Sequence, residues 1–422
     1  MSRQWLHCRS SRYLKLLFTI FIFTGIICML AILRNQNTSE CDIAQKPTKS
    51  SSKVEAIKKN SCKPQKHIFF MKTHKTASST IMNMLFRFGE SNNLLFALPA
   101  YNASQFFYPY YFNAAYVEGY FRRTILKFDI MCHHMRFQLG EVEKVMPKNT
   151  FYFTILRNPV SVMESSYAYY ISIDSFIHTK SLEQFIMNPY KFYNKTSINN
   201  SYAKNVMTFD LGFDNNGPES SKYFQLVQKS VEIMFNLVLI TEYFDESLVL
   251  LKDALCWTYD DVLSFPLNSR SNATRKVPPV KIQERIKIWN QLDWQLYVYF
   301  NNTFWKKVDE FGRERMQQEV KELRRRRALH MEICLQGQVD PKHIKDESLK
   351  PFQAGIARIL GYSLKQGLAE PERTLCKRLI TPELQYSNLL MNKTKQKVSK
   401  AKMVRKNLES KVSRFRQKTP PP

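Results

Sequence analysis

Glycine is scarce in this chain, at 11 of 422 residues, and none lies between Lys72 and Thr80, where an apolar run gives way to cations and hydroxyls. That excludes a Gly-x-x-x-x-Gly-Lys-Ser/Thr loop, whose glycines let the backbone close on the phosphates of ATP. Acids are scarce as well: 36 Asp and Glu against 63 Lys and Arg give a net charge of +27. No C-x-x-C pair occurs and no His/Asp/Glu group has ligand spacing, so no metal is expected. No internal repeat of roughly 20–50 residues is present, which sets solenoids and propellers aside.

What stands in the glycine-free stretch is Lys72-Thr73-His74-Lys75-Thr76-Ala77-Ser78-Ser79-Thr80, preceded by the strand-like Ile68-Phe69-Phe70-Met71. Ile81, Met82, Leu85, Phe86 and Phe88 follow at helical spacing. The loop therefore opens a helix, where unpaired N–H groups and the positive dipole end favour an anion. Lys72, Lys75 and the hydroxyls add side-chain donors, and the segment reads as a phosphate-binding loop of a type other than an ATP site. A second β-prone run, Phe151 to Leu156, ends in Arg157-Asn158-Pro159, after which Val160 to Tyr170 is helical, with Ser165 eight positions beyond Arg157.

These two motifs, with Cys132-His133-His134-Met135-Arg136-Phe137 and Glu242-Tyr243-Phe244-Asp245-Glu246-Ser247-Leu248, resemble the galactose 3-O-sulfotransferases over roughly Lys66 to Ser387, nearest to the galactosylceramide (cerebroside) branch. The resemblance implies 3′-phosphoadenylyl sulfate (PAPS) as donor and the 3-hydroxyl of a terminal β-galactose as acceptor, on a glycolipid or a glycan. By the same resemblance, Lys72, Thr73, Lys75, Thr76, Ala77, Ser78, Ser79 and Thr80 cradle the phosphosulfate, while Arg157 and Ser165 grip the 3′-phosphate. Lys75 is the essential lysine and Lys72 shares its work. His134 is the base, with His133 as an open alternative and His74 inside the donor loop as a third candidate. Arg270, in the basic loop 268–276, would close over the nucleotide. Many relatives carry Asp where Asn158 stands. Two readings of other classes remain beside it: a lumenal nucleotide-dependent kinase, and a galactoside-binding protein without catalysis.

The chain ends differ from its middle. Leu16 to Leu33 is an uncharged apolar run of 18 residues, about 27 Å as a helix at ~1.5 Å per residue. Arg3, Arg9, Arg12 and Lys15 precede it and only Arg34 follows closely, so the expected topology is single-pass type II with the bulk in the lumen. A span this short suits thin secretory membranes, and Golgi residence is the natural expectation. Six cysteines would lie in that oxidising compartment and disulfides are expected among them, the alternative for Cys132, beside the His pair, being a buried thiol. Seven Asn-x-Ser/Thr sites fit the same route. A lumenal domain sets nucleic acid aside as a partner despite the net charge, and a homodimer is compatible with everything above.

The expected organisation is a cytoplasmic tail (1–15), a signal-anchor (16–33), a stem (34–64), a lumenal domain (65–388) and a basic tail (389–422). For the domain we expect a P-loop-like α/β fold whose mainly parallel central sheet is flanked by helices, with ligands beyond the strands' carboxyl ends. Ile282 to about Cys334 should be helices packed on the sheet. Arg324 to Arg327 is expected to end a long helix and complement its dipole. Glu242 and Asp245 are either site carboxylates or helix-capping charges. Phe106 to Phe112 is either core or a stacking wall for a sugar or lipid.

Overall fold

The computed structural model describes residues 62–120 and 127–396; the apolar run, nearly all of the stem and most of the basic tail lie outside them. Among the described residues, no helix is long and apolar enough to cross a membrane. Five strands, β1 (Ile68–Met71), β2 (Phe96–Ala97), β3 (Ile130–Met131), β4 (Phe151–Leu156) and β5 (Leu237–Ile240), form one sheet in the order β2-β3-β1-β4-β5. Every pairing is parallel. All four side chains of β1 are fully buried, as expected of a strand covered on both faces, which explains its unbroken apolar sequence. Phe70 pairs with Phe153, their rings stacked at 4.8 Å, and Met71 pairs with Thr154. Because β1 and β4 are in register, the loops that leave their carboxyl ends emerge side by side.

The flanking helices are α1 (Ser78–Ser91), α2 (Pro159–Tyr169), α3 (Phe244–Ala254), α4 (Val280–Trp289), α5 (Gln291–Phe311) and α6 (Arg313–Cys334). Gly89 in α1 is required by close approach, since a Cβ there would sit 2.2 Å from the Phe96 ring of β2. The helical expectation for 282–334 resolves into three helices, with Gly312 at φ 94° dividing α5 from α6. One expectation is corrected. Arg324 to Arg327 lie in the middle of α6, which continues to Cys334 because Leu329 and Met331 carry the helix on, so they complement no helix end. Instead Arg324 Nε and Arg327 Nη2 each donate to Asp245 at 2.6 Å.

A two-stranded antiparallel sheet, β6 (Leu335–Val339) and β7 (Gly361–Leu364), follows α6 and was not foreseen. Then α7 (Glu372–Ile380) and a helix that is continuous from 383 to 396 return along α1. This C-terminal strap is fastened polar group by polar group. Asn83 Nδ2 donates to the carbonyls of Arg378 and Thr381, and Tyr386 Oη donates to Glu90 at 2.6 Å. Lys393, which the sequence places in the basic tail, pairs with Glu90 as well. Disulfides join Cys62 to Cys256 and Cys334 to Cys376, while Cys132 is a buried thiol.

Candidate active site

A cavity of about 1090 Å³ opens beyond the carboxyl ends of β1, β4 and β5, lined by Lys72, His74, Lys75, His134, Arg157, Ser165, Arg270 and Glu383 among others. The location follows from the sheet: parallel strands end at one edge, and the loops there are free to carry chemistry.

The loop after β1 makes its bends without glycine. Lys75 and Ala77 both stand in the left-handed region, at φ 60°. Each such residue costs on the order of 1–3 kcal/mol, and a strained pair is retained at a site where the surroundings fix it. The surroundings here are specific: Arg157 Nη1 donates to the Lys75 carbonyl at 2.9 Å and Thr241 Oγ1 to the Thr76 carbonyl at 2.9 Å. Ala77 enters α1 with no side-chain cap, so the helix start is left for another acceptor.

The loop hydroxyls are divided. Thr73 Oγ1 donates to Ile155 O, Thr76 Oγ1 to Thr73 O (3.1 Å) and Ser78 Oγ to Thr73 O (2.8 Å), so these three knit the loop to itself and to β4. Thr73 does not line the cavity, whereas Thr76, Ala77, Ser78, Ser79 and Thr80 do. Thr80 Oγ1 accepts from Leu267 N at 3.0 Å.

Cations converge on one side. Lys75 lies over the Tyr169 ring at 3.6 Å. Burial, and then the charges of Arg270, Arg157 and Lys72, push its ammonium down to about 7. Arg270 is paired with Glu164, yet its Nη1 is buried without a hydrogen-bond partner. Its loop neighbour Asn272 is exposed. Ser165, two turns along α2, lines the same wall. The Asn158 position is explained by its contacts: its side chain accepts from Val160 N to cap α2, with Pro159 at the first helical position, and its own N–H donates to Glu242 Oε1 at 3.0 Å. A neutral Asn caps there without setting a second carboxylate beside Glu242.

The histidines face the other side. His134 Nδ1 donates to the Lys72 carbonyl (2.9 Å), which leaves its Nε2 lone pair to accept from Lys72 Nζ (3.1 Å). Burial, followed by the neighbouring His74 and Lys72, holds His134 neutral. His74 is stacked flat on His134, with ring centroids 3.7 Å apart. Its Nδ1 donates to buried Asp210 at 2.9 Å, and its Nε2 is buried without a partner. His133 points elsewhere, bonded to Ser387 Oγ at 2.8 Å and absent from the cavity wall.

Three functional groups escaped the sequence. Asp210 holds the His74 backbone N–H at 2.7 Å as well as its ring, and accepts from Tyr108 Oη at 2.9 Å. Glu383 binds Lys72 Nζ and Ser79 Oγ, both at 2.6 Å. Tyr169 carries Lys75. Nothing in a linear reading links these residues to the loop; only the fold does. The aromatic stretch splits, with Phe106 and Phe112 fully buried as core, Tyr108 on Asp210, and Phe107, Tyr110 and Tyr111 exposed. Glu242 and Asp245 both line the cavity. Among the described residues, no group of three or more His, Cys, Asp or Glu could hold a metal ion.

A model of the family described as galactose-3-O-sulfotransferase matches residues 2–394 of the chain. The galactose-3-O-sulfotransferase 2 of Mus musculus is 48% identical over 331 residues, covering 76% of this chain and 84% of that protein. The galactosylceramide sulfotransferase of Homo sapiens is 43% identical over 332 residues, covering 77% and 78% respectively. The galactose-3-O-sulfotransferase 4 of Homo sapiens is 37% identical over 406 residues, covering 78% and 83%.

Proposed function

The chain belongs to the galactose-3-O-sulfotransferase family, and from that premise we propose that it transfers sulfate from PAPS to the 3-hydroxyl of a terminal β-galactose. The observation that carries the donor assignment is the cluster of Lys72, Lys75, Arg157 and Arg270 about one cavity, with Lys75 depressed first by burial and then by its cationic neighbours, and Arg270 Nη1 unpartnered. Such a site is short of negative charge, and a nucleotide with a phosphosulfate and a 3′-phosphate would supply it.

When bound, the donor supplies an activated sulfuryl group on a phosphate leaving group. Lys75, free of any carboxylate, faces the growing charge on the oxygen that departs. A preorganised cation there is worth ~2.7–4 kcal/mol in the transition state. Arg157 and Ser165 hold the 3′-phosphate, and Arg270 stands over the nucleotide from loop 268–276. The proton of the acceptor hydroxyl goes to the stacked histidine pair as the new S–O bond forms. His134 must give up Lys72 Nζ to accept it, whereas His74 has its Nε2 unpartnered and a carboxylate behind its Nδ1. His74 is therefore the better-placed base, with His134 as its neighbour on the ring face.

For the acceptor we propose a galactosyl glycolipid, galactosylceramide first. The 43% identity to a protein named for galactosylceramide supports that first choice, and galactose on N- or O-glycans is the second class. Type II anchoring in the Golgi membrane belongs to the same proposal, supported by the apolar run 16–33 and by two disulfides, which persist in an oxidising lumen. The test is the full chain in detergent with sulfate-labelled PAPS, offered galactosylceramide and, separately, a galactose-terminated N-acetyllactosamine. Label on the lipid supports the first acceptor and label only on the glycan supports the second. Label on neither, from folded protein, overturns the galactose assignment.

A further inference from the structure

Glu383 comes from the C-terminal strap, 311 residues from the lysine it binds. One of its oxygens accepts from both Lys72 Nζ and Ser79 Oγ. Burial alone would raise its carboxyl, but the Lys72 charge and these two hydrogen bonds bring it below the ordinary value, so it stays ionised. The same ammonium donates to His134 Nε2, and the Lys72 side chain is only 2% exposed. Lys72 is thus gripped from two sides. Lys75, three residues on, rests on the Tyr169 ring and makes no ion pair with a carboxylate among the described residues.

We propose that Glu383 is a positioning residue which clamps the Lys72 ammonium onto His134, dividing the loop's two lysines into one fixed at the histidine pair and one free for the incoming anion. The proposal deepens the sulfuryl-transfer reading and rests on it. Without the carboxylate, Lys72 is a buried cation in the field of Lys75, Arg157 and Arg270, and turning toward a bound anion becomes its best remaining option. His134 then loses the contact that fixes its lone pair. Lys75 feels the change too: Arg270, Arg157 and Lys72 press on it as cations, Tyr169 lies beneath it, and Glu383 is the anion that opposes them.

The experiment compares full-length wild type with Glu383→Gln, Glu383→Asp and Glu90→Gln. The last loosens the strap at Tyr386 and Lys393 without touching Lys72. Two quantities are read: steady-state kinetics with PAPS and a galactoside, and the pH at which Lys75 is half-reactive toward N-hydroxysuccinimidyl acetate, followed by mass spectrometry. For Glu383→Gln we expect kcat to fall ~10–100-fold with donor KM within ~3-fold, as for an interaction used in the transition state. The Lys75 midpoint should move to lower pH, and Glu383→Asp should recover part of both. Glu90→Gln should lower the melting temperature and leave the midpoint in place. Wild-type kcat and midpoint in Glu383→Gln overturn the clamp. So does a loss of activity that tracks melting temperature equally in Glu383→Gln and Glu90→Gln. If wild type transfers no sulfate, the sulfuryl-transfer reading fails, and the Lys75 midpoint still decides whether the clamp exists.

Discussion

The donor loop and the C-terminal strap meet at one ion pair, yet they are built on opposite plans. The loop, Lys72 to Thr80, is contiguous, strained and densely functional, and its partners Ile155, Arg157 and Thr241 come from neighbouring strand ends. The strap, residues 372–396, is two helices without a left-handed residue, and it contributes a single carboxylate to the chemistry and otherwise serves as fastening. A short sequence can encode a site only where the sheet brings its pieces together. A remote segment enters such a site by docking along a helix that is already placed.

That comparison breaks first at its most loaded residues. His74→Ala should reduce kcat ~10²–10⁴-fold, the range of a positioned general base; a loss confined to His134→Ala, measured in the same assay, would move the base to His134. Lys75→Ala should cost ~10²–10³ in kcat with an unchanged melting temperature, since its ammonium lies in the cavity and in no core. Activity near wild type would remove it from the mechanism. Arg157→Ala should raise donor KM ~10–100-fold, a charge-assisted hydrogen bond's worth. An unchanged KM would show the 3′-phosphate is held elsewhere.

Lys75 also predicts a proton-linked signature. Its ammonium is held at about 7, below the ordinary 10.5, so at about pH 8 it is mostly neutral in the free protein and at about pH 6 it is charged. A bound polyanion favours the charged form. Donor-product nucleotide should therefore take up to about one proton at pH 8 and close to none at pH 6, measured by titration calorimetry in buffers of different ionisation heat. The opposite pH order would reverse the sign of the assignment. On the strap, Tyr386→Phe removes one hydrogen bond to Glu90 and should lower stability by about 1 kcal/mol with kcat nearly unchanged. A large loss of kcat there would mean the strap does more than fasten.

The loop was legible because its chemistry is local: lysines and hydroxyls between an apolar tetrad and a helical pattern announce an anion site by residue type alone. The parallel sheet was legible for a similar reason, as unbroken apolar runs followed by helices leave few other architectures. Asp210 and Glu383 were hidden because a lone acid set among apolar neighbours, Phe209 and Leu211 or Pro382 and Leu384, names no partner in the sequence, and its contact with His74 or Lys72 exists only in three dimensions. The loop's left-handed Lys75 and Ala77 were hidden by the absence of the very residue that usually marks such bends. The choice between His133 and His134 turned on which side of a two-residue strand's end each ring falls. Arg324 to Arg327 misled because a charge run was assumed to sit at a helix end, when α6 continues through it and spends two of the four arginines on Asp245.

The Cys62–Cys256 bond has a mechanical meaning. Around it, Gln65 N donates to Leu255 O at 2.9 Å and Trp257 Nε1 to Gln65 O at 3.3 Å, so the chain is moored beside the end of α3 just before it turns into β1. Tension applied to the polypeptide ahead of Cys62 is therefore borne by a covalent link to Cys256, and β1 is out of the line of force. The strand whose end carries Lys72 and Lys75 can be tugged at its upstream side without the reaction geometry being sheared.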